Sequence, residues 1–352
     1  MDQLHVKNHF VPECYLKRWE NPHHKVYVFK TLVHHSNVAI WKPYSVTAIA
    51  YQKHLYTQII SGIECDDLET FLDQEFESPA NEILEKAVSD IRLTSGDWDV
   101  LIKFLAAQDV RTPAKLFEHL QRTEKTLSET LETVLNELQK KLDSCNIEEL
   151  KRQSTSHESE PFPLKVTTHF EGDAETGLLK AETYAGRSTW IFSIKHLLEN
   201  TRKVLHSHEW SIVKPAKGYY WPTSDNPVVK LNYYSPGKYD LRGGWGREKG
   251  NIIFPIGPEH AMFVQIGDRP IPNGSRLSIE QTKMFRKVIA ENAHRKIFSH
   301  KHDKEVPSLR SRIIAPQKLK RELEEMQLWH DINSSMERQY LISNRKKYSV
   351  LE

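Results

Sequence analysis

Cysteine is scarce in this chain: Cys14, Cys65 and Cys145 are the only three, an odd number with no C-x-x-C spacing. That excludes a disulfide framework and a cysteine-rich zinc module, and it suits a reducing compartment. Net charge is nearly absent as well, +2 across 352 residues, so no whole-molecule field draws the protein to nucleic acid or anionic lipid. Any phosphate-binding surface has to be local, although the 18 histidines add positive charge wherever they protonate. Long apolar runs are missing, and no basic segment followed by an apolar stretch opens the chain. The expectation is a soluble, cytoplasmic protein with no membrane partner. The Walker loop, G-x-G-x-x-G, H-E-x-x-H and G-x-S-x-G motifs are missing too, which removes the common P-loop NTPases, dinucleotide enzymes, zincins and serine hydrolases.

What the chain does have is the makings of an ordered core. Hydrophobic residues are 38% and charged residues 27% of the total, with eight tryptophans and thirteen tyrosines, far from the aromatic poverty of disordered chains. Its length suffices for one large domain or two ordinary ones. Residues 25–30 alternate as a half-buried strand does, and 38–41 are placed to pair with them across the polar turn at 34–37. Residues 51–56 read as another strand. From Leu68 to Val88 apolar residues recur at three- and four-residue spacing after the acidic start Asp66-Asp67, the mark of an amphipathic helix that Pro79 kinks or restarts. Further helices are predicted over 97–111, 115–142, 188–206 and 278–293. Short strands are predicted at 210–213, 219–221, 228–229, 252–254, 262–264 and 296–298.

The fold class is therefore α+β: a helical N-terminal half with a small hairpin, packed on a short-stranded, mostly antiparallel sheet. The organisation read along the chain is a hairpin plus helical region over 1–145, a linker or mobile loop over 146–163, a β-rich region with two helices over 164–305 sharing one core with the first, and a peripheral helix or tail over 306–352.

The most informative stretch lies at the start, Asn8-His9-Phe10-Val11-Pro12-Glu13-Cys14-Tyr15-Leu16, with Trp19 beyond it. Proline fixes its own φ and pushes its predecessor out of the helical region, so His9 sits in an extended segment that displays it. The motif pieces continue through Leu68-Glu69, Glu77, the run Gln108-Asp109-Val110-Arg111-Thr112-Pro113, Thr223-Ser224-Asp225-Asn226-Pro227, Phe254-Pro255-Ile256-Gly257-Pro258 and Asn292 ahead of Ile297-Phe298-Ser299. In this order they resemble the bacterial DUF4238 family, a domain of unknown function. Trp19 stands where that family tends to have phenylalanine, which keeps an aromatic ring in place. The resemblance brings no activity with it. It implies only which residues matter, and a scattered bacterial family of this kind suggests a toxin or anti-phage setting.

Each candidate residue has a chemical reading beside a structural one. His9 serves as a general acid or base, or pins the N-terminus by hydrogen bonding. The Arg111 fork clamps a phosphate, or forms a buried ion pair with Glu69 or Glu77. Asp225 holds a metal or a reacting proton, or caps the S-D-N-P turn. Glu77 is a further carboxylate, and Asn8, Gln108, Asn226 and Asn292 supply polar groups for substrate or, equally, caps. His23-His24 and His34-His35 flank the hairpin strand and read as solvated turns before they read as a metal chelate.

Gathered in one cleft, an imidazole, a guanidinium, two carboxylates and several amides suit phosphodiester cleavage, with a divalent metal ion as the cofactor such a set accommodates. The first expectation is thus a hydrolase acting on nucleic acid, a nuclease-type toxin or defence effector, in which His9, Arg111, Asp225 and Glu77 are catalytic. The alternative is a non-catalytic sensor or adaptor that binds a nucleotide, a protein partner or a second copy of itself through the same residues.

Overall fold

A computed structural model describes residues 4–60, 62–144, 165–170, 177–235 and 237–348. The architecture mixes helices with short strands that pair antiparallel, apart from one parallel pair, Leu32–Val33 with Ile313–Ile314. Two compact units are present: Met1–Lys115 together with His196–Glu352, and Leu116–Lys195. The larger unit is discontinuous in sequence, so its core is built by residues from both ends of the chain.

Two sheets organise the larger unit. In the five-stranded sheet the order is Ser211–Val213, His260–Gln265, Gly250–Gly257, Val229–Ser235 and Lys238–Asp240. Gly250–Gly257 is the middle strand and is buried throughout, which explains why its apolar residues run on instead of alternating. Pro255 cannot donate to the ladder, and the register with the neighbouring strand shifts just there, between Pro255 and Gly257. The helix Ile279–Asn292, closed at its start by a Ser278–Gln281 capping box, lays Val288 and Ile289 on a core of Val213, Trp221, Val229, Ile253 and Phe263.

The second sheet has the order Thr223–Ser224, Lys296–Ser299, Val26–Lys30 and Lys42–Tyr44. The strand expected at 38–41 is therefore a loop, and the pairing falls on Lys42–Tyr44. The cause is a distant side chain. Arg312 donates to the carbonyls of Val38, Ala39 and Ile40, satisfying them without a ladder. Residues 219–221 are not a strand either. Tyr219 N–H closes a turn on Ala216, Trp221 N–H donates to Pro258, and Arg286 takes the Tyr220 carbonyl.

The helix expected over 68–88 forms as Asp67–Leu72, a π-helical stretch Asp73–Glu77 and Ser78–Val88. Pro79 lacks the N–H that an α-helix would need there, and the wider π turn comes just before it. The 188–206 helix is likewise divided, into Arg187–His196, the π-helical Leu197–Thr201 and Lys203–His206. Helical character in the N-terminal half starts in earnest only at Asp67, because seven short strands precede it among the described residues. The segment expected to be a linker, 146–163, lies outside the described residues.

The C-terminal region is a long helix, Pro316–Tyr348, and it is docked rather than left as a tail. Trp329 Nε1 donates to the Leu55 carbonyl, and the Glu337 carboxylate accepts the Ile59 N–H at 2.8 Å. In the smaller unit, a hairpin joins Lys165–Phe170 to Gly177–Glu182, and His119 is buried with its pKa pushed down to about 4 by burial.

Candidate functional site

The opening strand Lys7–His9 pairs antiparallel with Tyr51–Lys53, in the register Lys7 with Lys53, Asn8 with Gln52 and His9 with Tyr51. Strand alternation divides this ribbon cleanly. Lys7, His9, Tyr51 and Lys53 share one face, and Asn8 and Gln52 occupy the other. The His9 and Tyr51 rings lie 5.6 Å apart, and the Lys7 ammonium sits 4.7 Å from the centre of the Tyr51 ring. Phe10 and Val11 then hand their N–H groups to Ala50, and the extended Pro12 opens the short helix Glu13–Leu16. The extended conformation expected around His9 is present. Its display is not: the ring is mostly buried, and Nε2 is covered and makes no hydrogen bond, with Glu13 Oε1 3.4 Å away.

Arg111 caps the helix Ser95–Val110 and is fully buried beneath this segment. Its Nε donates to the Phe10 carbonyl at 3.2 Å, one Nη to the His9 carbonyl at 3.0 Å and the other to Glu77. Tyr56 OH donates to the Arg111 carbonyl at 2.6 Å. Burial works against the charge of the guanidinium, but Glu77 and the neighbouring Tyr56 and Glu69 more than offset it. The phosphate-clamp reading of Arg111 is thereby corrected. Its fork is spent on two main-chain carbonyls and a carboxylate, and no face of it reaches solvent.

Glu69 completes the cluster. Its Oε2 is buried without a partner, and burial pushes its pKa up to about 7 against the pull of Arg111 and the His9 main chain. His9 is displaced the other way: burial lowers its pKa, with Arg111 adding to the effect and Glu13 opposing it. Burial likewise pushes the Cys14 thiol up to about 11, so it stays protonated. His9 on the ribbon is thus held toward the neutral imidazole, while Glu69 on the helix Asp67–Leu72 is a carboxyl poised near neutrality.

Asp225 does not join them. Its Oδ1 accepts the His294 N–H at 2.8 Å, and its Oδ2 accepts those of Arg295 and Lys296 at 2.8 and 2.9 Å. Burial raises the pKa of this carboxyl against the pull of the His294 ring and the amides. Three main-chain amides occupy this buried carboxylate, which holds residues 294–296 in place, so the catalytic reading is corrected to a structural one.

The amides are similarly occupied. Asn8 Nδ2 donates to the His5 carbonyl and its Oδ1 accepts from Tyr56 N–H. Asn226 accepts from Thr112 Oγ1 and donates to the Asn292 carbonyl, and Asn292 donates back to the carbonyls of Asn226 and Val228. These three hold the fold instead of facing a substrate. Gln108 is different, being fully buried with neither Oε1 nor Nε2 hydrogen-bonded.

The matched motifs therefore converge as one network. Tyr15 OH bridges Thr223 Oγ1 at 2.6 Å and the Pro255 carbonyl at 2.7 Å, and Trp19 Nε1 donates to the Trp221 carbonyl. Sequence reasoning missed Glu69 as a titrating group, because its raised pKa comes from burial that no local pattern announces. It also missed His54, Glu64 and His330, the one group among the described residues with metal-ligand geometry. The paired histidines at 23–24 and 34–35 do not gather ligands.

The model of the family "Protein of unknown function (DUF4238)" matches residues 7–303, a stretch that contains all of these motifs. The chain belongs to this family. No curated protein and no solved structure shows significant similarity to it.

Proposed function

We propose that the protein is a hydrolase acting on nucleic acid, with His9 as its acid–base group. The observation that carries this reading is the composition of one ribbon face: His9 and Tyr51 side by side, flanked by Lys7 directly opposite Lys53. Like charges facing each other across an antiparallel pair are unfavourable on their own, and a phosphate between them reverses the sign. The Tyr51 ring offers a base or sugar a stacking surface next to that anion position.

The proton-transfer chemistry follows from opposite pKa displacements. His9, lowered by burial, is a neutral base at pH 7, and Glu69, raised to about 7, retains a proton for a leaving oxygen over part of the population. Glu13, 3.4 Å from His9 Nε2, is the more exposed of the two side chains. Arg111, itself held by Glu77, donates to the His9 carbonyl and so aims the imidazole; the pair acts through position rather than on the substrate.

The test is cleavage of fluorescent single-stranded RNA, single-stranded DNA and duplex DNA by the purified chain, with and without Mg²⁺. His9→Ala is expected to lower the rate by about 100-fold or more, the usual worth of a positioned acid or base, without loss of fold. Binding of the same oligonucleotides with no cleavage by wild type on any of them would assign the ribbon to a sensor instead.

A further inference from the structure

The geometry points to a binding site for one divalent transition ion, Zn²⁺ by preference, formed by His54, Glu64 and His330. One nitrogen from each ring and one Glu64 carboxylate oxygen lie within 4.8 Å of one another. The three residues come from separate parts of the larger unit: the turn after Tyr51–Lys53, the strand Ile63–Cys65 and the C-terminal helix Pro316–Tyr348. His330 lies beyond the stretch matched by the family model, so the site includes a part of the chain that the family motifs do not cover.

Several features fit a ligand set. The two rings are stacked, with centroids 4.1 Å apart and planes at 22°, which brings both imidazoles to one place. His54 Nδ1 is 3.2 Å from Thr57 Oγ1 and His330 Nδ1 is 3.4 Å from Ser334 Oγ, hydroxyl partners of the kind that fix ring orientation around a metal. His330 Nε2 is already 3.1 Å from Glu64 Oε1. Ligand atoms around tetrahedral zinc, each at about 2.0–2.2 Å, stand roughly 3.4 Å from one another, so this pair has the right separation and His54 moves inward on binding. His54 also has φ +51°, the left-handed region that non-glycine residues seldom occupy and that is retained where the surroundings require it.

Two imidazoles and one carboxylate are borderline donors, suited to zinc and its first-row neighbours rather than to Mg²⁺ or Ca²⁺. A three-residue set leaves a fourth position for water. Because the ligands join the C-terminal helix to the ribbon and the hairpin beside it, the ion would staple the last helix onto the N-terminal segment.

The experiment uses the full chain stripped with chelator and titrated with Zn²⁺ alone against a chromophoric competitor, with Mg²⁺ as a control. Expected are one equivalent of Zn²⁺ per chain, a rise in Tm on binding, and at least a tenfold loss of affinity in His330→Ala and in His54→Ala. Glu64→Gln, on a short surface hairpin, tests the same site with minimal risk to folding, and the Tm of each variant in chelator reports whether it is folded. Absence of stoichiometric Zn²⁺ binding by wild type would overturn the assignment. So would wild-type affinity in folded Glu64→Gln and His330→Ala, which would place the ion elsewhere.

Discussion

Replacing Asp225 separates a structural carboxylate from a catalytic one. In Asp225→Ala, three partly buried main-chain N–H groups, those of His294, Arg295 and Lys296, lose the carboxylate that accepts them at 2.8–2.9 Å. Each orphaned donor costs about 1–3 kcal/mol, so the substitution removes on the order of 3–9 kcal/mol, a large share of the roughly 5–15 kcal/mol that stabilises a typical domain. Asp225→Asn is milder. Its Oδ1 can keep the two bonds that Oδ2 makes, while its NH₂ group then opposes the His294 N–H, and the cost is about 2–3 kcal/mol. Urea unfolding followed by tryptophan fluorescence measures both, and the order wild type, Asn, Ala in midpoint is the expected result. The strand Lys296–Ser299 follows immediately on these amides and pairs with both Thr223–Ser224 and Val26–Lys30, so the loss should be felt by the whole four-stranded sheet. The reasoning is refuted if Asp225→Asn unfolds at the wild-type midpoint while oligonucleotide cleavage disappears, because that pattern belongs to a catalytic acid.

Two further predictions concern the buried cluster around His9. Glu69 has a folded pKa near 7 against an ordinary value of 4.5, so between those values the unfolded chain has released the proton that the folded chain still holds. Stability therefore falls as pH rises from about 4.5 to 7, by up to roughly 3 kcal/mol, and is flat above. Glu69→Gln should be stabilising at pH 8 and close to neutral at pH 4.5 in thermal melts; equal effects at both pH values would show that the carboxyl titrates normally. Arg111→Lys replaces a fork that reaches the His9 carbonyl, the Phe10 carbonyl and Glu77 by a single ammonium, and should cost about 2–4 kcal/mol in chemical denaturation. An unchanged midpoint would mean that the guanidinium is not what fixes the opening segment.

Much of the local structure was legible in the residues themselves. The 97–111 reading differs from the helix Ser95–Val110 only at its ends, because the Thr94–Asp97 capping box and the apolar spacing mark it locally. The same holds for Ile279–Asn292 and for the buried strands around 252–254 and 262–264. The Val11-Pro12 step pointed to an extended opening segment, and the pairing of His9 with Tyr51 supplies that conformation at His9 itself. Where the reading failed, the missing information was remote. Nothing near 38–41 signals that Arg312 takes three of its carbonyls, and nothing near Pro79 or Leu197 specifies a π turn in place of a break. The exposure of His9 was misjudged because Tyr51 and Arg111, from other segments, pack around it together with the local Glu13.

The sequence by itself determined the alternation of helix and strand, the antiparallel character of the sheets and the membership of the DUF4238 family, since periodicity, caps and ordered motifs are properties of neighbouring residues. It also picked out Arg111 and Asp225 as residues of consequence. Only the tertiary structure decided what they do, because a guanidinium or a carboxylate acts on a substrate or holds a fold according to which groups fill its hydrogen-bonding positions. Here those positions are filled by main-chain atoms brought from the opening strand and from residues 294–296, and the same long-range assembly sets Glu69 near neutrality and brings His54, Glu64 and His330 together.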